Sequence, residues 1–274
     1  MEKLDRLGWA AGLAVVVQGV SLGLRTDRPE ALERLMRMLP PGWRAAPSPR
    51  VERLYSLRVG DGPGPGIRRF TMLYRDAMRI ARSHDLVAVL GILESEIQLH
   101  VAEHARGRIF VHAGVVGWRG RAVVIPGRSM SGKSTLVDAL VRAGGTYYSD
   151  EYAVLDGRGH VHAHPTPLLL RDGATARANQ RPDTSVTRPL PVGLVVITRY
   201  RAGARWRPRP LSRGRGGIEL LAHTVAARRR PAGALRALAR ALSRASVLKG
   251  VRGEASELVA SLAATSTPVA GGGH

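Results

Sequence analysis

Apolar residues change their spacing several times along this chain, and each change marks a predicted element. Residues 14–24 are apolar almost throughout, which predicts a pair of strands or one long bent strand. Over 27–39 the spacing becomes helical. Leu32, Leu35, Met36 and Leu39 fall on one face, and Pro40-Pro41-Gly42 stops the segment. Residues 51–59 read as a strand, the Gly/Pro tract 60–66 as a turn or flexible loop, and 70–80 as one or two further strands. Over 84–104 the period is helical again, with Leu86, Leu90, Leu93, Ile97 and Val101 as the apolar stripe. These elements predict a small α/β domain over residues 1–105.

A second pattern begins near Arg106. Strands are expected over 109–116 and 121–125, joined by the turn Gly117-Trp118-Arg119-Gly120. A helix follows over 133–142, burying Leu136, Val137, Leu140 and Val141, with Gly144-Gly145 as its C-terminal cap. One strand is predicted over 146–155, another over 161–170, and after a polar stretch a buried strand over 193–198. The remainder reads as helical, with Leu235, Leu238 and Leu242 on one face and Arg236, Arg240 and Arg244 on another. The second domain is therefore placed at 106–264, and the low-complexity tail 265–274 is expected to be disordered.

At 44% hydrophobic and 23% charged, the composition is that of a globular protein. There is no cysteine, which excludes disulfide frameworks and thiolate metal sites. Glu2 and Asp5 do not suit a signal peptide, and the apolar run 9–24 is too short for a bilayer and interrupted by Gln18. A cytoplasmic protein without a membrane partner is expected. The net charge is +21, and of the basic residues only Lys3, Lys133 and Lys249 are lysines. From Arg199 to Arg252, fourteen Arg and one Lys face Glu219 alone. Such a field attracts anions at low salt. Arg205-Trp206-Arg207-Pro208-Arg209 sets one aromatic among arginines, as single-stranded nucleic acid would favour, but one tryptophan is a thin platform and a solvated loop is expected. The Arg236, Arg240, Arg244 repeat costs helix stability unless an acidic peptide or a second copy covers it, so homo-oligomerisation stays open. His160, His162 and His164 alternate as metal ligands could, yet Ala163 and the following prolines point to an edge strand with exposed rings.

The segment Gly127-Arg128-Ser129-Met130-Ser131-Gly132-Lys133-Ser134, followed by Thr135, fits the Walker A pattern, with a predicted strand before it and a helix after it. Its glycines let successive N–H groups point at phosphate oxygens, and the helix N-terminus adds partial positive charge. Lys133 is expected to reach the β and γ phosphates of ATP, and the Ser134 hydroxyl to hold Mg²⁺. An ordinary P-loop ATPase would place a second acid after the strand 192–198, but Thr198-Arg199 stands there. The nearest carboxylates are Asp150 and Glu151, where adjacent acids can divide proton transfer and metal organisation.

Residues 106–200 thereby resemble the catalytic domain of the HPr serine kinase/phosphorylase family. The resemblance rests on His112-Ala113-Gly114, the strand 122–126, the Walker A loop, and Asp150-Glu151, with His112 fifteen residues before Gly127 and Asp150 seventeen after Lys133. It implies an α/β P-loop fold of the HPr kinase/PEP carboxykinase type and transfer of the γ-phosphoryl group from ATP to a serine hydroxyl. By the same resemblance Asp150 is the base, Ser134 and Glu151 hold Mg²⁺, and His112 lies near the phosphates. The second acid is Glu where the family has Asp. The family's later Glu-x-Arg-Gly signature has no clean counterpart: 168–173 keeps Arg171, a candidate substrate or phosphate contact, but is apolar at the glutamate position. The nearest branch is the one found in peptide-modifying gene clusters, such as those for lasso peptides, which implies a protein or precursor-peptide acceptor. A true HPr kinase/phosphorylase, a nucleotide-binding switch that transfers nothing, and a nucleic-acid-binding ATPase are the alternatives.

Overall fold

The computed structural model describes residues 2–60, 69–127, 131–165, 169–172, 175–178 and 188–264. The Gly/Pro tract from 61 on, the tail 265–274, and Arg128, Ser129 and Met130 of the Walker A loop lie outside the described residues. The chain is mixed α/β and divides into two compact units, one ending at Gly107 and the other starting at Arg108.

In the first unit a short helix α1 (Glu2–Asp5) precedes an antiparallel hairpin of β1 (Ala11–Val17) and β2 (Val20–Thr26). Gln18 and Gly19 turn it with φ of 49° and 80°, the left-handed pair that a two-residue hairpin requires. Helix α2 (Pro29–Arg37) starts on a proline and buries Ala31 and Leu35. It is followed by β3 (Arg44–Ala45), which pairs with β1, and β4 (Arg53–Arg58), which lies parallel to β2. Strands β5 (Thr71–Arg75) and β6 (Met78–Ser83) complete a sheet of order β3-β1-β2-β4-β5-β6. Helix α3 (Leu86–His104) is capped by Asp85, whose carboxylate accepts from the Val87 and Ala88 N–H groups. Its Val89, Leu93, Ile97 and Val101 are buried, while Leu86 is only half-buried.

The second unit is organised on β7 (Arg108–Trp118), which pairs antiparallel with β8 (Arg121–Pro126). After α4 (Lys133–Arg142), the chain returns along the other side of β7 as β9 (Thr146–Ser149) and β10 (Tyr152–Asp156). The single strand expected over 146–155 is thus broken at Asp150-Glu151. Strand β11 (His160–His162) ends early, and Leu169–Asp172 forms a separate strand, β12, in a ribbon with β13 (Thr175–Ala178), so the strand expected over 161–170 is also divided. β11 pairs with β10 and with β14 (Leu190–Tyr200), so it is not an edge strand.

β14 runs parallel to β8. Beyond it the chain forms β15 (Arg209–Pro210), α5 (Arg213–Leu221) and α6 (Pro231–Leu242), then β16 (Ser246–Arg252), parallel to β14, and α7 (Ala255–Ala264). The all-helical ending expected from the sequence therefore misses β15 and β16. Side chains alternate across the parallel strands. Val124 and Val195 face Leu220, Leu238 and Leu242 of α5 and α6, whereas Val123, Ile125 and Val196 face Leu136 and Leu140 of α4 and Leu258 of α7. Both faces are covered, as continuous apolar strands require. Leu235, expected in the core, is 53% exposed; Ala234, Ala237 and Ala241 take the buried positions beside Leu238 and Leu242. Among the described residues, no helix is long and apolar enough to cross a membrane.

Candidate nucleotide site

Strands β8, β14 and β16 end on the same side, and the Walker A segment leaves β8 there, where parallel α/β sheets present their ligand sites. The Gly127 N–H donates to the His112 carbonyl at 3.2 Å, which anchors the start of the loop to β7. Gly132 caps α4 with φ 81° and no side-chain cap, so the first turn presents backbone N–H groups of the kind that bind anions. A Cβ on Gly132 would also lie 2.5 Å from Nη2 of Arg252, so only glycine fits both the conformation and the space. Gly114 serves packing instead: a Cβ there would lie 2.5 Å from Val137, and its absence lets α4 settle onto β7.

The acid pair sits in the break between β9 and β10. The buried Ser149 hydroxyl accepts from the N–H groups of Glu151 and Tyr152 at 3.2 and 3.0 Å, which turns the chain out of the ladder for two residues. The Glu151 carbonyl still accepts from the Ala113 N–H at 3.1 Å, so the turn stays tied to β7. Asp150 receives two hydroxyls: Tyr147 Oη donates to Oδ1 at 2.8 Å, and Ser134 Oγ to Oδ2 at 3.1 Å. The structure thereby joins the Walker A serine to the first acid.

Lys133 lies close enough to both acids to feel their charge. Burial lowers its pKa, while Asp150 and Glu151 oppose that shift. The His112 pKa is lowered first by burial, then by Lys133 and His223, so its imidazole is held neutral. Its ring lies 4.7 Å from that of Tyr152, which also makes an edge contact with His164. His112, Lys133, Ser134, Asp150 and Glu151, distant in sequence, thus share one place. Thr135 is exposed on α4. Arg171 lies on β12, a strand whose backbone runs near α4.

Two features of the site are absent from the sequence reading, the Tyr147 hydroxyl on Asp150 and Arg252. Arg252, at the end of β16, is 2% exposed, and its guanidinium donates to the carbonyls of Gly132 (2.9 Å) and Gly253 (3.0 Å) and lies 5.4 Å from the Tyr200 ring. Its Nε and the Thr198 hydroxyl are buried with no hydrogen-bond partner among the described residues. Arg252 could have been found only through β16, whose buried terminus makes an arginine unusual. Among the described residues the histidine triplet does not converge on a metal position. His162 pairs with Asp156 at 2.9 Å, while His164 is buried, and burial drives its pKa down to about 4. The exposed rings expected there are half-buried or buried instead.

Among the described residues, no group of three His, Asp or Glu converges on a metal position. Mg²⁺ needs none, because it takes one or two protein oxygens together with phosphates and water. Ser134 beside Asp150 and Glu151 is a donor set of that hard-oxygen type. No protein-family model matches the chain, and a search of curated proteins finds no match.

Proposed function

We propose that this chain is an ATP-dependent kinase of the HPr serine kinase type, transferring the γ-phosphoryl group to a serine hydroxyl of a protein or precursor peptide. The contact between the Ser134 hydroxyl and the Asp150 carboxylate carries this reading. It brings the nucleotide loop and the acid pair together without a carboxylate after β14. Lys133 and the N-terminal amides of α4 hold the phosphates. Ser134 and Glu151 would hold Mg²⁺, which when bound would neutralise charge on the β- and γ-phosphates. Asp150 already accepts two hydroxyl protons in hydrogen bonds, the orientation a base for a seryl O–H requires. The serine oxygen bonds to the γ-phosphorus, the bond to the β–γ bridging oxygen breaks, ADP leaves, and the serine proton passes to Asp150. Neutral His112 flanks Lys133 without adding a competing positive charge.

One observation favours a second reading, a nucleotide-binding switch that transfers nothing: both Asp150 oxygens are already engaged within the protein. Incubation with Mg²⁺ and γ-labelled ATP in the presence of seryl peptides separates the two. The kinase reading expects labelled phosphoserine. Bound ATP whose label reaches no acceptor would overturn that reading in favour of the switch.

A further inference from the structure

A cavity of about 630 Å³ opens at one end of the N-terminal sheet, lined by Arg28, Arg58, Arg69, Arg79, Arg82 and Asp27. Strand register builds it. Arg58 opposes Met72, and Met72 opposes Arg82, so a row of two arginines around a methionine lies on one sheet face. The neighbouring row, Leu57 and Leu73, is buried on the opposite face. Asp27 is the only carboxylate among the described lining residues, and it is committed to the protein. It accepts from the Val59 N–H at 2.9 Å and lies 3.7 Å from the Arg58 guanidinium. Arg58 is matched by Asp27, and Arg79 and Arg82 add exposed positive charge to the same wall. Arginine forks match carboxylates and phosphates in shape.

Phe70 limits the choice of anion. The His84 ring stacks at 3.9 Å from it, and the Arg82 guanidinium carbon lies 3.8 Å from its centroid. Two groups that close cannot occupy one face, so both faces of Phe70 are covered and no stacking platform is left for a nucleobase. The volume far exceeds a single carboxylate, and Met72 and Val59 supply apolar wall between the charges.

We propose that this cavity docks an acidic peptide segment, its Asp and Glu carboxylates held by the arginines. Assigning that segment to the seryl acceptor rests on the kinase reading; the docking itself does not. The test is fluorescence anisotropy with a labelled Glu-Glu-Leu-Glu-Glu peptide and its Gln-for-Glu counterpart, on nucleotide-free protein. The acidic peptide should bind, and the neutral one at least ~tenfold more weakly. Arg79→Ala with Arg82→Gln should weaken binding at least ~tenfold, whereas the equal charge loss of Arg236→Ala with Arg244→Ala should change it less than ~twofold. Because Arg82 supports Phe70, Arg79→Ala alone is the second variant, expected to lose ~threefold with an unchanged melting temperature. Lys133→Ala should bind the peptide as wild type does, so a failed kinase assay and a failed docking assay remain distinct results. Equal weakening by the two double variants, absence of peptide binding, or displacement of the peptide by oligothymidylate at a lower concentration than by unlabelled peptide would each overturn the proposal.

Discussion

Arginine plays opposite parts in the two units. In the second unit Arg252 is buried against the start of α4, and its donors go to the backbone carbonyls of Gly132 and Gly253. In the first, Arg79 and Arg82 are exposed on the wall of an open cavity. Desolvation explains the division. A buried guanidinium must find protein acceptors or lose several kcal/mol, so it becomes structural, whereas exposed ones remain able to exchange water for a ligand. In a chain with this much arginine, burial and not residue type separates the positioning group from the binding group.

The sharpest break in that contrast lies at the third kind of cation. Lys133 is half-buried beside Asp150 and Glu151, and on the kinase reading proposed above it acts on ligand directly. Lys133→Ala should lower phosphoryl transfer by about 10³-fold, read in initial-rate assays, with little change in melting temperature. A comparable loss of stability would instead class Lys133 with Arg252.

Buried histidines extend the comparison to neutral groups. His164 in the second unit and His100 in the first both have pKa values pushed down to about 4, in each case chiefly by burial. Because the folded values lie below the ordinary 6.5, the unfolded chain binds more protons as pH falls. The stability these groups give is therefore complete above pH 6.5 and is lost progressively between about 6.5 and 4. For His164 the loss reaches about 3 kcal/mol at pH 4. Urea midpoints at pH 7 and 4.5 should show it, and His164→Phe, which preserves the contacts with Phe110 and Tyr152, should flatten the slope.

Arg252→Met should cost about 2 kcal/mol in denaturant unfolding, since two carbonyls lose a charged donor. It should also weaken ATP binding by about tenfold, because Gly132 loses its anchor. Unchanged ATP affinity would reduce Arg252 to a stability element. The smallest effect is expected on the cavity wall, where Arg79→Ala should shift stability by no more than about 0.5 kcal/mol.

The elements that govern this contrast were unequally legible in the sequence. The span of α4 and the P-loop signature could be read because period, turn residues and motif agree locally. The break at Asp150-Glu151 could not, because it depends on the Ser149 hydroxyl bonding two backbone N–H groups, while Tyr147, Tyr148 and Tyr152 to Leu155 read as one apolar strand. β16 was hidden for a related reason. Ser246–Arg252 carries Lys249, Gly250 and Arg252 within seven residues, so it alternates poorly, and only its place beside β14 makes it a strand. With β16 went Arg252. The grouping of His112, Lys133, Ser134, Asp150 and Glu151 in the candidate site was expected from motif and spacing, but the Tyr147 donor to Asp150 was not, since it faces the acid only once the strand turns.

The most direct test of the kinase account is a single-turnover measurement on Asp150→Asn, following phosphoserine formation and ATP binding on the same protein. The account predicts ATP affinity within about threefold of wild type and transfer reduced by about 10³-fold, the range expected for losing a general base. Transfer at the wild-type rate, or wild-type protein that binds Mg-ATP and forms no phosphoserine, would contradict it.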